Sequence, residues 1–271
     1  MGRDLDREPP PNRLPRIHRP EPQEREASTR VRDLHLNETA VAALRDIGRF
    51  RTVAVQDLAR FSPGRKGQSG EDLKTLAALG LVQKRTAWFN RNVGRLEVAV
   101  LTKAGKRYLE EVHPEPGQAV YSGFVKPSEV AHDAAIYPMF QKEKAAIEAA
   151  GGRVRRLVLD YELKRSVYAP LAKVRGKVSG PEYARHQAEV ARANYLKVVD
   201  GKIPLPDLRI EYENEEGQIT RVDLELATHH YHGSHMAQKA EAGFKIYGAD
   251  DGVRRSSIYE GREITAQILS L

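Results

Sequence analysis

Apolar positions along this chain follow two periods, and the balance between them shifts about half-way. From Leu36 the spacing is helical: Asn37 is an N-cap before ETAVAALRDIGRF, and Val41, Leu44 and Ile47 share one face. A second, short helix follows in TVAVQDLARF until Ser62-Pro63-Gly64 breaks it. Ser69, with Asp72 three residues on, is the expected cap of a third helix through Leu73, Leu76 and Leu79, stopped at Gly80. Leu81 and Val82 open a strand, WFNRNVGRLEVAVLT supplies a β-hairpin turning at Gly94, and KAGKRYLEEV adds a closing helix. Three helices, a two-stranded wing and a closing helix describe a winged helix-turn-helix over residues 31–112.

HPEPGQ begins an expected linker, 113–127, after which the pattern restarts. Ser128 to Ala150 reads as a helix containing Pro138 and ending at Gly151-Gly152. In RVRRLVLDYELKR, Leu157, Leu159, Tyr161 and Leu163 alternate as one face of a long strand. A basic insertion, 166–200, interrupts the alternation, with a helix starting at Ser179. Two further strands follow. Leu208, Ile210 and Tyr212 oppose Asp207, Arg209 and Glu211, and Val222, Leu224 and Leu226 oppose Asp223, Glu225 and Ala227. The polar run ENEEGQ joins them as a hairpin loop, so antiparallel pairing brings Asp207 towards Glu225. Gly233 to Tyr247 then reads as a helix with Met236, Ala240, Phe244 and Tyr247 on one stripe, VRRSSIYE as a strand and REITAQILSL as a last helix. The expected class is therefore mixed α+β: a winged helix-turn-helix, then an α-β-β-β-α-β domain over 128–271.

Composition narrows the function. The chain has 271 residues, of which 40% are hydrophobic, enough for one large domain or two with separate cores. It has no cysteine, which excludes disulfides and thiolate zinc sites and suits a cytoplasmic protein. No apolar run is long enough to span a bilayer. Residues 1–30 hold six prolines and seven arginines with little to bury, and read as a disordered tail, either a basic arm on a phosphate backbone or a solvated segment. Net charge is +7 at pH 7, and residues 65–107 alone hold ten Lys or Arg against three acids, the same +7. Such a cluster points to double-stranded DNA, bound through phosphates with strong salt dependence. The expected contacts are Arg65, Lys66, Gln68, Lys74 and Thr75 around the third helix, and Lys84, Arg85, Arg91, Asn92 and Arg95 on the wing. Glu71 and Asp72 at the start of the third helix suit a phosphate wall poorly and favour the wing. A protein-interaction or homodimer module with a solvated basic face is the alternative.

The order helix, strand, insertion, strand, strand, helix, strand resembles the restriction-endonuclease-like core, and Pro206-Asp207 followed by Glu225 resembles its PD-(D/E)XK signature. The resemblance implies that Asp207 and Glu225 hold Mg²⁺ and that a lysine assists catalysis. Ala227 stands where that lysine is expected, so Lys239 on the following helix is nominated in its place, as in some members of the superfamily. Over roughly four-fifths of its length the chain also resembles the replication-relaxation family of plasmid proteins and related mobilisation accessory proteins. The residues that carry this are Gly80-Leu81-Val82-Gln83-Lys84-Arg85, Leu101-Thr102 with Gly105, His132, Pro206-Asp207, Glu225 with Thr228, and Lys245 with Tyr247. Leu205 departs from the arginine that the family has before Pro-Asp. The resemblance implies DNA binding in replication, relaxation or mobilisation of a mobile element, with a relaxase or replication initiator as an expected partner, while the missing lysine at Ala227 points to a nuclease fold whose catalytic set has decayed into a scaffold.

His229, His230, His232 and His235 allow sharper readings. His230-Tyr231-His232 has the form of a relaxase metal pair, with Tyr231 or Tyr247 as nucleophile, and three of the histidines could hold zinc. A polar loop at the end of an acidic strand is the plain alternative. Three functions stay open: an accessory DNA-binding protein, a Mg²⁺-dependent DNA endonuclease using Asp207, Glu225 and Lys239, and a winged-helix transcriptional regulator.

Overall fold

A computed structural model describes residues 34–61, 68–88, 95–227, 233–248 and 268–270. Helix α1 (Glu38–Arg49) starts at Asn37, whose side chain accepts the amide of Ala40 at 2.7 Å and so satisfies one open donor of the first turn. Strand β1 (Val53–Ala54), α2 (Val55–Phe61), α3 (Gln68–Ala78), β2 (Val82–Trp88), β3 (Arg95–Leu101) and α4 (Lys103–Val112) complete a winged helix-turn-helix. Its small sheet has the order β1-β3-β2, with β2 and β3 antiparallel from Val82 opposite Leu101 to Trp88 opposite Arg95. The wing tip, 89–94, lies outside the described residues, as do the tail and residues 62–67. Ser69 is inside α3 rather than its cap, and Asp72 is buried and accepts the Asn37 side-chain amide at 3.3 Å.

The second half contains α5 (Val130–Ala149), β4 (Arg153–Leu159), α6 (Asp160–Val174), α7 (Gly180–Ala193), β5 (Leu208–Glu213), β6 (Ile219–Ala227), α8 (Gly233–Ala242), β7 (Lys245–Gly248) and β8 (Ile268–Ser270). The five strands lie in sequence order, antiparallel from β4 to β6 and parallel from β6 to β8. This is the expected α-β-β-β-α-β order, with α6 and α7 inserted after the first strand, but β7 completes it; the expected strand VRRSSIYE, 253–260, lies outside the described residues. One sheet face carries Leu157, Leu159, Leu208, Ile210, Leu224 and Leu226 and packs on α5. The other face is covered by the inserted helices, with Val158, Leu163, Val167, Leu171, Leu196, Leu205 and Phe244 as its apolar fill.

Three element assignments change. The strand expected through Leu163 ends at Leu159, because Leu163, Val167 and Leu171 recur at helical spacing and are buried, while Tyr161 is 60% exposed. Acidic Asp160 and Glu162 in the first turn also suit a helix N-terminus. The helix expected to reach Tyr247 stops at Ala242, where Gly243 adopts a positive φ of 93°, and Lys245 to Gly248 pair in parallel with β6. Ile268 to Ser270 form a strand where a terminal helix was expected.

Residues 113–127 pack closely along both halves. The Gln118 side chain bonds both backbone groups of Leu157 on the edge strand β4, at 2.9 and 3.1 Å, and the Tyr121 amide donates to Gly48 O. Tyr137 of α5 lies edge-on to Phe50 and donates its hydroxyl to Asp46 of α1 at 2.8 Å. Burial, the largest influence on Asp46, pushes its pKa up. A single apolar cluster runs from Leu44 and Leu76 in the first half to Leu208 and Leu226 in the second. No described helix is long and apolar enough to cross a membrane.

Candidate functional site

Register brings the two carboxylates together. Leu208 pairs with Leu224, so Asp207, one residue before Leu208, faces Glu225 across the end of the β5–β6 ladder. Period-2 alternation puts Arg209, Asp223 and Glu225 on the face away from α5. Arg209 is 3% exposed. It forms a bidentate pair with Asp223, 2.6 and 2.8 Å, and donates to the carbonyls of Asn194 and Tyr195.

Each carboxylate already has a cation. Lys239 of α8 reaches Glu225 Oε1 at 2.8 Å and donates to the carbonyl of Leu205 at 2.5 Å. Lys239 is the residue that the superfamily resemblance nominated in place of Ala227, which is itself buried. Asp207 accepts the amide of Leu226 at 2.9 Å, and its Oδ2 lies 3.4 Å from Nε2 of His132 in the first turn of α5. His132 Nδ1 stands 3.4 Å from Asp133 Oδ1. These contacts, Asp133 first and Asp207 second, outweigh burial and hold the His132 pKa up at about 10. His132 was legible only through the family resemblance, not as a partner of Asp207.

Two carboxylates suit a shared Mg²⁺ only if their oxygens are available. Here Asp207 faces an amide and an imidazolium and Glu225 an ammonium, and no group of three His, Asp or Glu among the described residues is placed to hold a metal. Asp207 Oδ2 and Glu225 Oε1 are thus engaged, and a Mg²⁺ held by these two carboxylates would have to compete with both cations.

Asp207, Glu225 and Lys239 line one cleft of about 980 Å³ between the sheet end and the inserted α6–α7 pair. Lys164, Tyr168, Arg175, Lys202 and His235 line it too. His229, His230, Tyr231 and His232 lie outside the described residues. Lys245 and Tyr247, the expected end of a helix, stand on β7 and both hold the buried Glu143 of α5, at 2.7 and 2.6 Å. Tyr247 is thus a core residue, and its pKa is pushed up, chiefly by burial and then by the bond to Glu143.

On the winged half the expected contacts divide. Lys74, Thr75 and Arg95 are exposed. Lys84 is also exposed but pairs with Glu97 at 3.2 Å, and Arg85 stacks on the ring of Phe124, 3.8 Å from its centre. Arg65, Lys66, Arg91 and Asn92 lie outside the described residues, as does the Gln68 side chain.

No family model matches the chain, and no curated protein is significantly similar to it. Among solved structures it is similar to Bacillus subtilis PadR in complex with operator DNA, at 15% identity and a TM-score of 0.25, over 59% of this chain and 95% of that one. A likeness at this level carries no argument, and the function has to rest on the chain's own residues.

Proposed function

We propose that this chain is a double-stranded-DNA-binding accessory protein of a mobile genetic element, acting in plasmid replication, relaxation or mobilisation beside a relaxase or replication initiator, with a nuclease-type fold serving as scaffold. The observation that carries it is the winged half: its third helix and wing expose Lys74 and Arg95 within a segment of net charge +7. The order of motifs shared with the replication-relaxation family supports the biological setting. The seating of His132 on Asp207, with buried Ala227 where the lysine of the signature is expected, supports the scaffold role.

Gel shifts with a duplex at two salt concentrations test the binding surface. Charge reversal at Arg91 and Arg95 should weaken binding about tenfold or more and flatten the salt slope; unchanged affinity rejects it. The scaffold role is tested by incubating supercoiled and linear DNA with and without Mg²⁺, where no cleavage is expected. Cleavage that disappears in folded Asp207→Ala, Glu225→Ala and Lys239→Ala variants would instead establish a DNA endonuclease, the second reading, which the arrival of Lys239 at Glu225 favours.

A further inference from the structure

The inserted helices do more than cover the sheet. Helix α6 presents Tyr168 to the cleft beside Asp207 with 52% of its surface exposed, a large ring left without burial in a concave wall. Arg175, just past the end of α6, and Lys202 are exposed in the same cleft. Lys202 closes a tight turn, Val199 to Lys202, held by mutual backbone bonds of 2.8 and 2.9 Å. Its two central residues, Asp200 and Gly201, have φ of 48° and 69°, the geometry that an Asp-Gly pair tolerates best. Gln187 of α7 donates to Gly201 O at 2.8 Å and Gln238 of α8 to the Asp200 carboxylate at 3.1 Å. Two side chains from different helices therefore fasten the turn that carries Lys202.

Ion pairing inside the cleft decides which cations face outward. Lys164 pairs with Asp160, Lys239 with Glu225, and His132 sits on Asp207, so every carboxylate of the lining has its counter-charge. Arg175 and Lys202 have no ion pair among the described residues. What remains for a ligand is two cations and one half-exposed aromatic ring lining the same cleft. Phosphates answer the cations, and a base answers the ring. Inside a duplex the base faces are covered by their neighbours in the stack, so away from a duplex end a ring in a cleft can stack only on an unpaired base.

We infer that this cleft takes an unpaired segment of a DNA strand, with Tyr168 stacked on a base and Arg175 and Lys202 on the adjoining phosphates. The inference rests on the proposed DNA-binding function and adds to it a second binding surface for a different strand state.

The test is fluorescence anisotropy of the full chain with a labelled oligothymidine and, separately, with a labelled blunt duplex. Tyr168→Ala should weaken oligothymidine binding about fivefold or more, the loss of one stacked base. Tyr168→Phe, which keeps the ring, should bind as the parent does. Arg175→Ala combined with Lys202→Ala should reduce the slope of log affinity on log salt by about 1.4, the counterions of two single-strand phosphates. None of these changes should alter duplex binding. The inference is overturned if the parent fails to bind oligothymidine, or if Tyr168→Ala and the double variant bind it unchanged while circular dichroism shows them folded. Should reversal of Arg91 and Arg95 leave duplex binding intact while Tyr168→Ala still weakens oligothymidine binding, the winged-face reading fails and the cleft stands.

Discussion

On the winged half Lys74, Arg95 and Lys103 stand exposed at the surface, whereas in the sheet half Arg209 and Lys239 turn inward onto Asp223 and Glu225. A cation in water needs no partner to fold and projects its field to the Debye length, about 8 Å at physiological salt. A cation sunk against a carboxylate projects little. It has lost its hydration and returns that loss only through good geometry, so its effect is to fix alignment. Formal charge read along a sequence counts both kinds alike. The difference teaches that a cation's surroundings, and not its place in the charge count, decide whether it projects a field or fixes an alignment.

The largest effect should come from breaking a fastening. Lys239→Ala removes the cation beside Glu225, which is 1% exposed, and should lower unfolding free energy by about 3–5 kcal/mol in urea denaturation. A loss below about 1 kcal/mol would put Lys239 in the same class as the surface cations. A pH-dependent effect is expected at His132, made smaller by solvent screening because 35% of its side chain is exposed. Its pKa is about 10 in the folded chain against 6.5 ordinarily, so the stabilisation is complete below pH 6.5 and is lost as pH rises through 10. The melting temperature of the parent should therefore fall relative to that of His132→Gln between pH 7 and 10; parallel profiles would show that the imidazolium contributes nothing to folding. The smallest effect should come from deletion of residues 1–30. Their arginines have almost no apolar companions, so the melting temperature should barely change, and a drop of several degrees would show that these charges are also fastened.

The winged helix was legible because local signals decide it: Asn37 caps, Gly80 stops, and two strand-forming runs flank Gly94 in the sequence. The carboxylate pair was legible as well, because strand period and hairpin length fix register, and Lys239 could be nominated once Ala227 was seen to be the wrong residue. Alternation over Leu159, Tyr161 and Leu163 misled, since three residues cannot separate a strand from the start of a helix whose later turns supply Val167 and Leu171. Phe244 and Tyr247 continued a helical stripe on paper, but Gly243 ends the helix and parallel pairing with β6 claims Lys245 to Gly248. The meeting of His132 with Asp207 was hidden for a different reason. Seventy-five positions separate them along the chain, and no local pattern encodes which helix terminus docks beside which strand.

Tyr137 rests on Phe50 and bonds Asp46 within a core that is continuous from one half to the other. A linker would let the wing and the cleft search for DNA independently; a shared core makes their separation a constant of the molecule. Under the proposed function, DNA bound at both surfaces would have to place its paired and unpaired portions at that fixed separation.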